Sequence, residues 1–241
     1  MRKQVMTIGF DDVKPEEAVS FAMEHIAARK RCRVVTPNAE FALEAKKNQR
    51  FLDIINSSQL VLADGISVIY ASRLVGQPLQ GRVTGVGFAQ LLAQKLAEQG
   101  GSLYLLGAKP GVAEEAGKRL SEQYPGLRIA GTHDGYFKEA APVVEAINAA
   151  RPDALFVCLG APKQEYFMAE QDGALEVPVM AGLGGCMDVM AGRVRRAPVF
   201  FQKTGLEWLY RLCKEPKRLK RMIKLPIYLL DAVFWRRKGE S

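Results

Sequence analysis

The sequence predicts an α/β protein with a largely parallel sheet and a helical C-terminal appendage. Three observations carry this. Short apolar runs alternate with stretches of helical periodicity. Several of those runs end in glycine or small polar residues, as strands do where the chain turns into a helix. The basic charge is concentrated at one end: 193–238 holds 14 Lys/Arg against three Asp/Glu, whereas the rest of the chain holds 20 against 23.

In order, strands are expected at 5–10, 33–36, 60–63, 103–106, 128–130, 154–159 and 177–181, each a short apolar run bounded by turn residues. Helices are expected at 15–29, 38–48, 65–74, 86–99, 111–123, 139–150 and 162–171. The 111–123 helix follows Pro110-Gly111 and carries Val112, Ala116 and Leu120 at helical spacing. Residues 77–87, with Pro78 and three glycines, read as a loop, and 131–136 read as a turn. This alternation argues for a parallel sheet covered by helices. The division expected is a core at 1–195 and an appendage at 196–241.

Composition narrows the function classes. With 241 residues and 48% hydrophobic content the chain can fill a core, which excludes disordered and fibrous classes. No uncharged apolar run reaches the roughly 18 residues of a spanning helix. Asp11 and Asp12 interrupt any secretory h-region, so no signal peptide is expected. Cys32, Cys158, Cys186 and Cys213 are widely spaced and only two His are present, which argues against structural zinc and against a disulfide framework. Cys32 and Cys158 read as core residues of a protein in a reducing cytoplasm.

Candidate chemistry gathers at the strand ends, where open α/β sheets bind ligands. Thr36-Pro37-Asn38 presents a hydroxyl and an amide, or else simply caps a helix. Asp64, in Ala63-Asp64-Gly65, is a second cap or a general base, since partial burial raises a carboxyl pKa towards the working range. In Gly160-Ala161-Pro162-Lys163-Gln164-Glu165, Lys163 and Gln164 suit a phosphate or a sugar hydroxyl. Arg82 is a candidate clamp for phosphate or carboxylate. Glycines such as Gly107, Gly184 and Gly185 let backbone N–H groups approach a phosphate, and Asp188 suits a ribose or base. His133 is weak ground for acid–base work. No GxGxxG, P-loop or DxD occurs, so neither a standard dinucleotide site nor the usual carboxylate-held metal is encoded.

The tail starts with the aromatic helical stretch 206–212 and resumes after Glu215-Pro216. Leu219, Met222, Ile223, Pro226, Leu229, Leu230 and Val233 are expected on one face, Lys217, Lys220, Arg221 and Lys224 on the other, with a kink at Pro226. Phe234-Trp235 before Arg236-Arg237-Lys238 reads as an interfacial anchor. A basic amphipathic helix lying on anionic lipid is the favoured reading. Packing on the core, or binding nucleic acid without a known module, are the alternatives.

The run Thr36-Pro37-Asn38, Ala63-Asp64-Gly65, Arg82 before Thr84-Gly85, Leu106-Gly107-Ala108, the 160–165 motif and Gly205-Leu206-Glu207-Trp208 together resemble the WecG/TagA/CpsF glycosyltransferases, in order and over nearly the whole chain. The resemblance implies a Rossmann-like fold and a metal-independent, inverting transfer, with no cofactor, at the inner face of the cell membrane. Its donor is a UDP-sugar and its acceptor a sugar on undecaprenyl diphosphate. TagA-like members move N-acetylmannosamine from UDP-ManNAc to lipid-linked GlcNAc for wall teichoic acid, and relatives use ManNAc-uronate or glucose. Carried onto this chain, Asp64 becomes the base, with Thr36 and Asn38 on the sugar or the leaving diphosphate, Gln164 on the acceptor or donor sugar and Arg82 on sugars or diphosphate. Arg211, Arg218 and Arg221 supply positive charge from the tail, and the glycine turns, Tyr136 and Asp188 form the uridine side. A non-catalytic UDP-sugar or lipid-binding protein is the rival reading. No nucleic-acid partner is expected, and exchange of the tail between subunits of a homo-oligomer stays open.

Overall fold

The computed structural model describes residues 1–195, 197, 198, 200, 201, 207–214 and 222–239. The chain opens with a hairpin, β1 (Arg2–Val5) and β2 (Ile8–Asp11), paired antiparallel. This corrects the single strand expected at 5–10. The chain reverses at Met6-Thr7 with Met6 in the left-handed region at φ 55°, a turn without the Gly or Asn that usually marks one. The order then runs α1 (Pro15–Ala27), β3 (Cys32–Val35), α2 (Ala39–Ala45), α3 (Gln49–Asn56), β4 (Leu60–Val61), α4 (Ile66–Leu74) and α5 (Gly85–Glu98). It continues β5 (Ser102–Gly107), α6 (Val112–Gln123), β6 (Arg128–His133), α7 (Ala141–Ala150), β7 (Ala154–Cys158), α8 (Lys163–Glu170), β8 (Val179–Gly182) and α9 (Cys186–Met190). Two described helices follow, α10 (Glu207–Lys214) and α11 (Lys224–Gly239).

Helix α3 is absent from the sequence reading, which ended a helix at 48. Asn48 is the N-cap of a new helix, its side chain accepting from the Phe51 N–H at 3.1 Å. Strand β6 runs on to His133, through residues read as a turn. Gly131 pairs with Tyr104 of β5 in that strand, and the position takes glycine because a Cβ there would lie 2.5 Å from the Tyr104 ring.

Strands β3 to β8 form one six-stranded sheet in the order β4-β3-β8-β7-β5-β6, parallel throughout. Parallel sheets are buried on both faces, and the strands show it by alternation. Leu155 and Val157 of β7 face a core shared with α2, α3, α4, α7 and α8, while Ala154, Phe156 and Cys158 face one shared with α1, α5, α6 and α9. The hairpin covers the β4 edge, where the Asp11 carboxylate accepts from the Val61 N–H at 2.8 Å.

Among the described residues no helix is long and apolar enough to cross a membrane. Helix α11 instead lies along α2 and α4. It buries Tyr228 and Ala232 in the first core, and Lys46–Asp231 (2.6 Å) and Lys224–Glu40 (2.8 Å) flank the contact. Pro226 falls in the first turn of α11, where a missing N–H is tolerated, and residues 215–221 ahead of the expected kink lie outside the described residues. One expectation changes. Lys224, expected on an outer basic face, pairs with the core. The other side of α11 is exposed at Ile227, Leu230 and Phe234, as are Ile223, just before the helix, and Trp235 further along it. Arg218, Arg221, Lys217, Leu219 and Lys220 lie outside the described residues, and of Arg211 only its place in α10 is described.

The Tyr228 hydroxyl is buried with no hydrogen-bond partner among the described residues. An unpartnered buried hydroxyl costs stability. Tyr228→Phe should therefore raise the free energy of unfolding in urea by about 1 kcal/mol. Tyr228→Ala should lower it by roughly 3 kcal/mol and make the C-terminal segment cleavable by trypsin.

Candidate functional site

Because the sheet is parallel, all six strands end on one edge. Neighbouring strands then send their chains to opposite faces, β3 into α2 and β8 into α9, which opens a crevice between their ends. Thr36 follows β3 directly. It is buried, and its hydroxyl donates to the Gly182 carbonyl at the end of β8, 3.1 Å away. Asn38 caps α2, its side-chain oxygen accepting from Glu40 and Phe41 N–H groups at 2.9 and 3.3 Å. It also packs against the turn after β4, where a Cβ on Gly65 would lie 3.1 Å from the Asn38 Cβ. Asp64 stands in that turn, its N–H donating to the Pro37 carbonyl at 3.3 Å. The Val83 N–H donates to the Ala63 carbonyl at 3.0 Å and so brings the Arg82 loop alongside. Thr36, Asn38, Asp64 and Arg82, spread over 47 positions of sequence, thus come together at one end of the sheet.

Arg82 is also tied to the C-terminal segment. Its guanidinium meets the Glu207 carboxylate of α10 at 3.4 Å, both side chains being largely buried. Glu207 belongs to the 205–208 motif, and the sequence alone does not tie it to Arg82.

Gln164 completes this cluster from α8. It is buried, with its Oε1 accepting from the Gly184 N–H at 2.9 Å and its Nε2 donating to Glu165 at 2.6 Å. Glu165 is the residue that sequence reasoning missed, since a polar helix start reads as solvated. The signal was present in the spacing: Gln164 and Glu165 precede Met168 by four and three positions, on its buried face. Burial pushes the Glu165 carboxyl up to about 7.

The second feature is a cleft of about 480 Å³ over the ends of β5 and β7, lined by Ala108, Lys109, Gly135, Tyr136, Phe137, Cys158, Leu159 and Lys163. Tyr136 is 70% exposed at its rim. The Lys163 ammonium donates to the Gly135 carbonyl at 3.0 Å and sits 4.9 Å from the Phe137 ring centroid. Asp188 acts on Cys158 from α9: burial chiefly, and the Asp188 charge in addition, push that thiol up to about 12. Gly107 serves packing, because at φ 127° a Cβ would strike the Cys158 carbonyl. Gly184 and Gly185 face open space, so a ligand can approach their backbone. Lys163 and Gln164, adjacent on α8, join the cleft to the crevice. Among the described residues no three His, Cys, Asp or Glu converge as a metal site.

The Glu165 shift has a signed consequence for stability. Between its ordinary value of 4.5 and about 7 the unfolded chain gives up its proton while the native state keeps it, so stability falls as pH rises through that window. The loss is complete above it and amounts to about 3 kcal/mol. Urea melts at pH 4.5 and 8 should show Glu165→Gln lacking this pH-dependent component.

The profile of the Glycosyl transferase WecG/TagA/CpsF family matches residues 3–241. Three similar proteins carry the name N-acetylglucosaminyldiphosphoundecaprenol N-acetyl-beta-D-mannosaminyltransferase. The one from Bacillus spizizenii is 39% identical over 196 residues, 81% of this chain and 76% of the relative. The one from Bacillus subtilis is 37% identical over 216 residues, 89% of this chain and 84% of the relative. The one from Staphylococcus aureus is 35% identical over 206 residues, 85% and 81% of the two chains. A match of this extent, on a chain whose strand-end motifs meet at one edge of the sheet, places the protein in the WecG/TagA/CpsF family of glycosyltransferases.

Proposed function

We propose that the protein transfers N-acetylmannosamine from UDP-ManNAc to the GlcNAc of undecaprenyl-diphosphate-GlcNAc, with inversion. The product is a β-linked, lipid-bound disaccharide, the linkage unit of wall teichoic acid. The relatives' shared name supports acceptor and linkage. The observation that carries the reading is the meeting of Thr36, Asp64 and the Arg82 loop with Gln164 at the carboxyl edge.

In the proposed step Asp64 takes the proton of the acceptor hydroxyl. That oxygen bonds to the anomeric carbon as its bond to the UDP oxygen breaks, and UDP departs on the opposite face. Inversion needs only one carboxylate at the reacting centre, with cations where the diphosphate charge develops. Arg82 and Lys163 supply charge from the core, and Arg211, Arg218 and Arg221 from the appendage. Thr36 and Asn38 act chiefly by fixing the strand ends around the sugars. The β5–β7 cleft suits UDP, with Tyr136, Asp188 and the glycine turns at 107 and 184–185 around the nucleotide. No step requires a metal.

A polyprenyl-linked acceptor is confined to a membrane, so the enzyme must work at one. We place it on the inner face of the cell membrane, with residues 1–195 as the catalytic core and 196–241 as the appendage that meets lipid. The open side of α11 supports this: Ile223, Ile227, Leu230 and Phe234 recur at spacings of four, three and four, beside Trp235.

UDP release by the full-length protein, with UDP-ManNAc and a short-chain GlcNAc-diphospholipid, tests the reaction. Release should require the acceptor and persist in EDTA. In Asp64→Asn it should fall about 100-fold or more while UDP affinity stays within about twofold. Release with another UDP-sugar alone would replace the donor, and UDP binding without release on any donor would favour a binding protein. For the membrane contact, Leu230→Asp/Phe234→Asp should abolish co-sedimentation with phosphatidylglycerol vesicles and leave the melting temperature unchanged within a few degrees.

A further inference from the structure

Glu165 is out of place by ordinary packing rules. It is fully buried beside Phe167 and Met168, where an apolar side chain would cost nothing to desolvate. One carboxylate oxygen accepts from the Gln164 Nε2 at 2.6 Å, and the other, Oε2, has no partner among the described residues. A buried carboxyl with half its hydrogen-bonding capacity unmet lowers stability, so its presence is accounted for by what it holds.

What it holds is one side of an amide whose other side is also committed. The Gln164 Oε1 accepts from the Gly184 N–H at 2.9 Å. A backbone N–H only donates, and Oε1 of Glu165 accepts, so both partners demand the same orientation of the Gln164 amide. The end of β8 is shaped around this pair. A Cβ on Gly182 would lie 3.0 Å from the Gln164 Nε2 and 3.1 Å from the Glu165 Oε1. The Gly182 carbonyl in turn accepts from the Thr36 hydroxyl.

We propose that Glu165 is a positioning residue for sugar transfer: its buried carboxyl locks the Gln164 amide in one orientation and, through it, the Gly184 turn at the end of β8. The proposal rests on the reading above that Gln164 serves the reacting sugars. A proton on Oε2 leaves Oε1 an acceptor, so the lock holds with the carboxyl charged or neutral.

The test is a double-mutant cycle in the full chain, with the UDP-release assay, thermal unfolding and the side-chain amide NMR signal of Gln164 as readouts. Glu165→Leu keeps the bulk and removes the acceptor. It should melt at or above the wild-type temperature, yet turn over about tenfold or more slowly, with the loss in kcat rather than in donor KM. Glu165→Gln, which retains an acceptor, should recover to within about threefold of wild type. Added to Gln164→Ala, Glu165→Leu should cost nothing more, because it acts through Gln164. Full activity in Glu165→Leu, or the same loss with and without Gln164, would overturn the proposal. The NMR readout stands apart from the reaction. In wild type the Gln164 amide protons should exchange slowly, and in Glu165→Leu they should exchange fast. Unchanged exchange overturns the lock even if the chain transfers sugar, whereas wild-type protein without transfer but with the exchange difference removes the proposed reaction and retains the lock.

Discussion

Parallel alignment is the constraint from which the rest of this molecule follows. Six strands running one way must end on one edge, and every connection must cross a face of the sheet. The crossings supply the helices that bury both faces, and the shared edge gathers side chains from remote parts of the chain. Thr36 and Gly182 are separated by 146 positions and joined by one hydrogen bond. The polar groups of the site converge through the pairing of β3 with β8 rather than through any local motif.

Much of this was legible in the sequence. Parallel strands buried on both faces read as apolar runs, and the runs at 103–106 and 154–159 fall on β5 and β7. Thr36, Asp64 and Gln164 stood out because small polar residues at strand ends are conspicuous against such runs. Features that depend on a distant partner were hidden. Met6 turns a hairpin without a turn residue's composition, and Gly131 reads as a turn residue although it is a strand position kept free of a side chain by the Tyr104 ring. Glu165 looked solvated, since sequence records polarity and not the packing of β8 against α8. Asn38, which the sequence reads as a cap or a ligand group, caps α2, and Gly107 lies against the Cys158 carbonyl.

Helix α11 shows the limit of reading amphipathicity from one strip of residues. Its apolar residues are not gathered on one side. Tyr228 and Ala232 enter the core and Leu229 packs against it, while Ile227, Leu230 and Phe234 point away. Packing on the core uses one side of the helix, which leaves the other for the lipid contact proposed above. The ion pairs to Lys46 and Glu40 flank the inner side, and exposed pairs of this kind contribute little by themselves. The apolar contact of Tyr228 with α2 and α4 carries the docking.

The strand order also bears on how the protein is made. β8 sits in the middle of the sheet between β3 and β7, yet it is the last strand of the sheet in the chain. A chain emerging from the ribosome can pair β3 with β4, and β5 with β6 and β7, long before residue 179 exists. Until then the edges of β3 and β7 that β8 covers have no partner in the sheet. The edge that carries Thr36, Gly182 and Gln164 is therefore completed only when the last strand takes its place between β3 and β7.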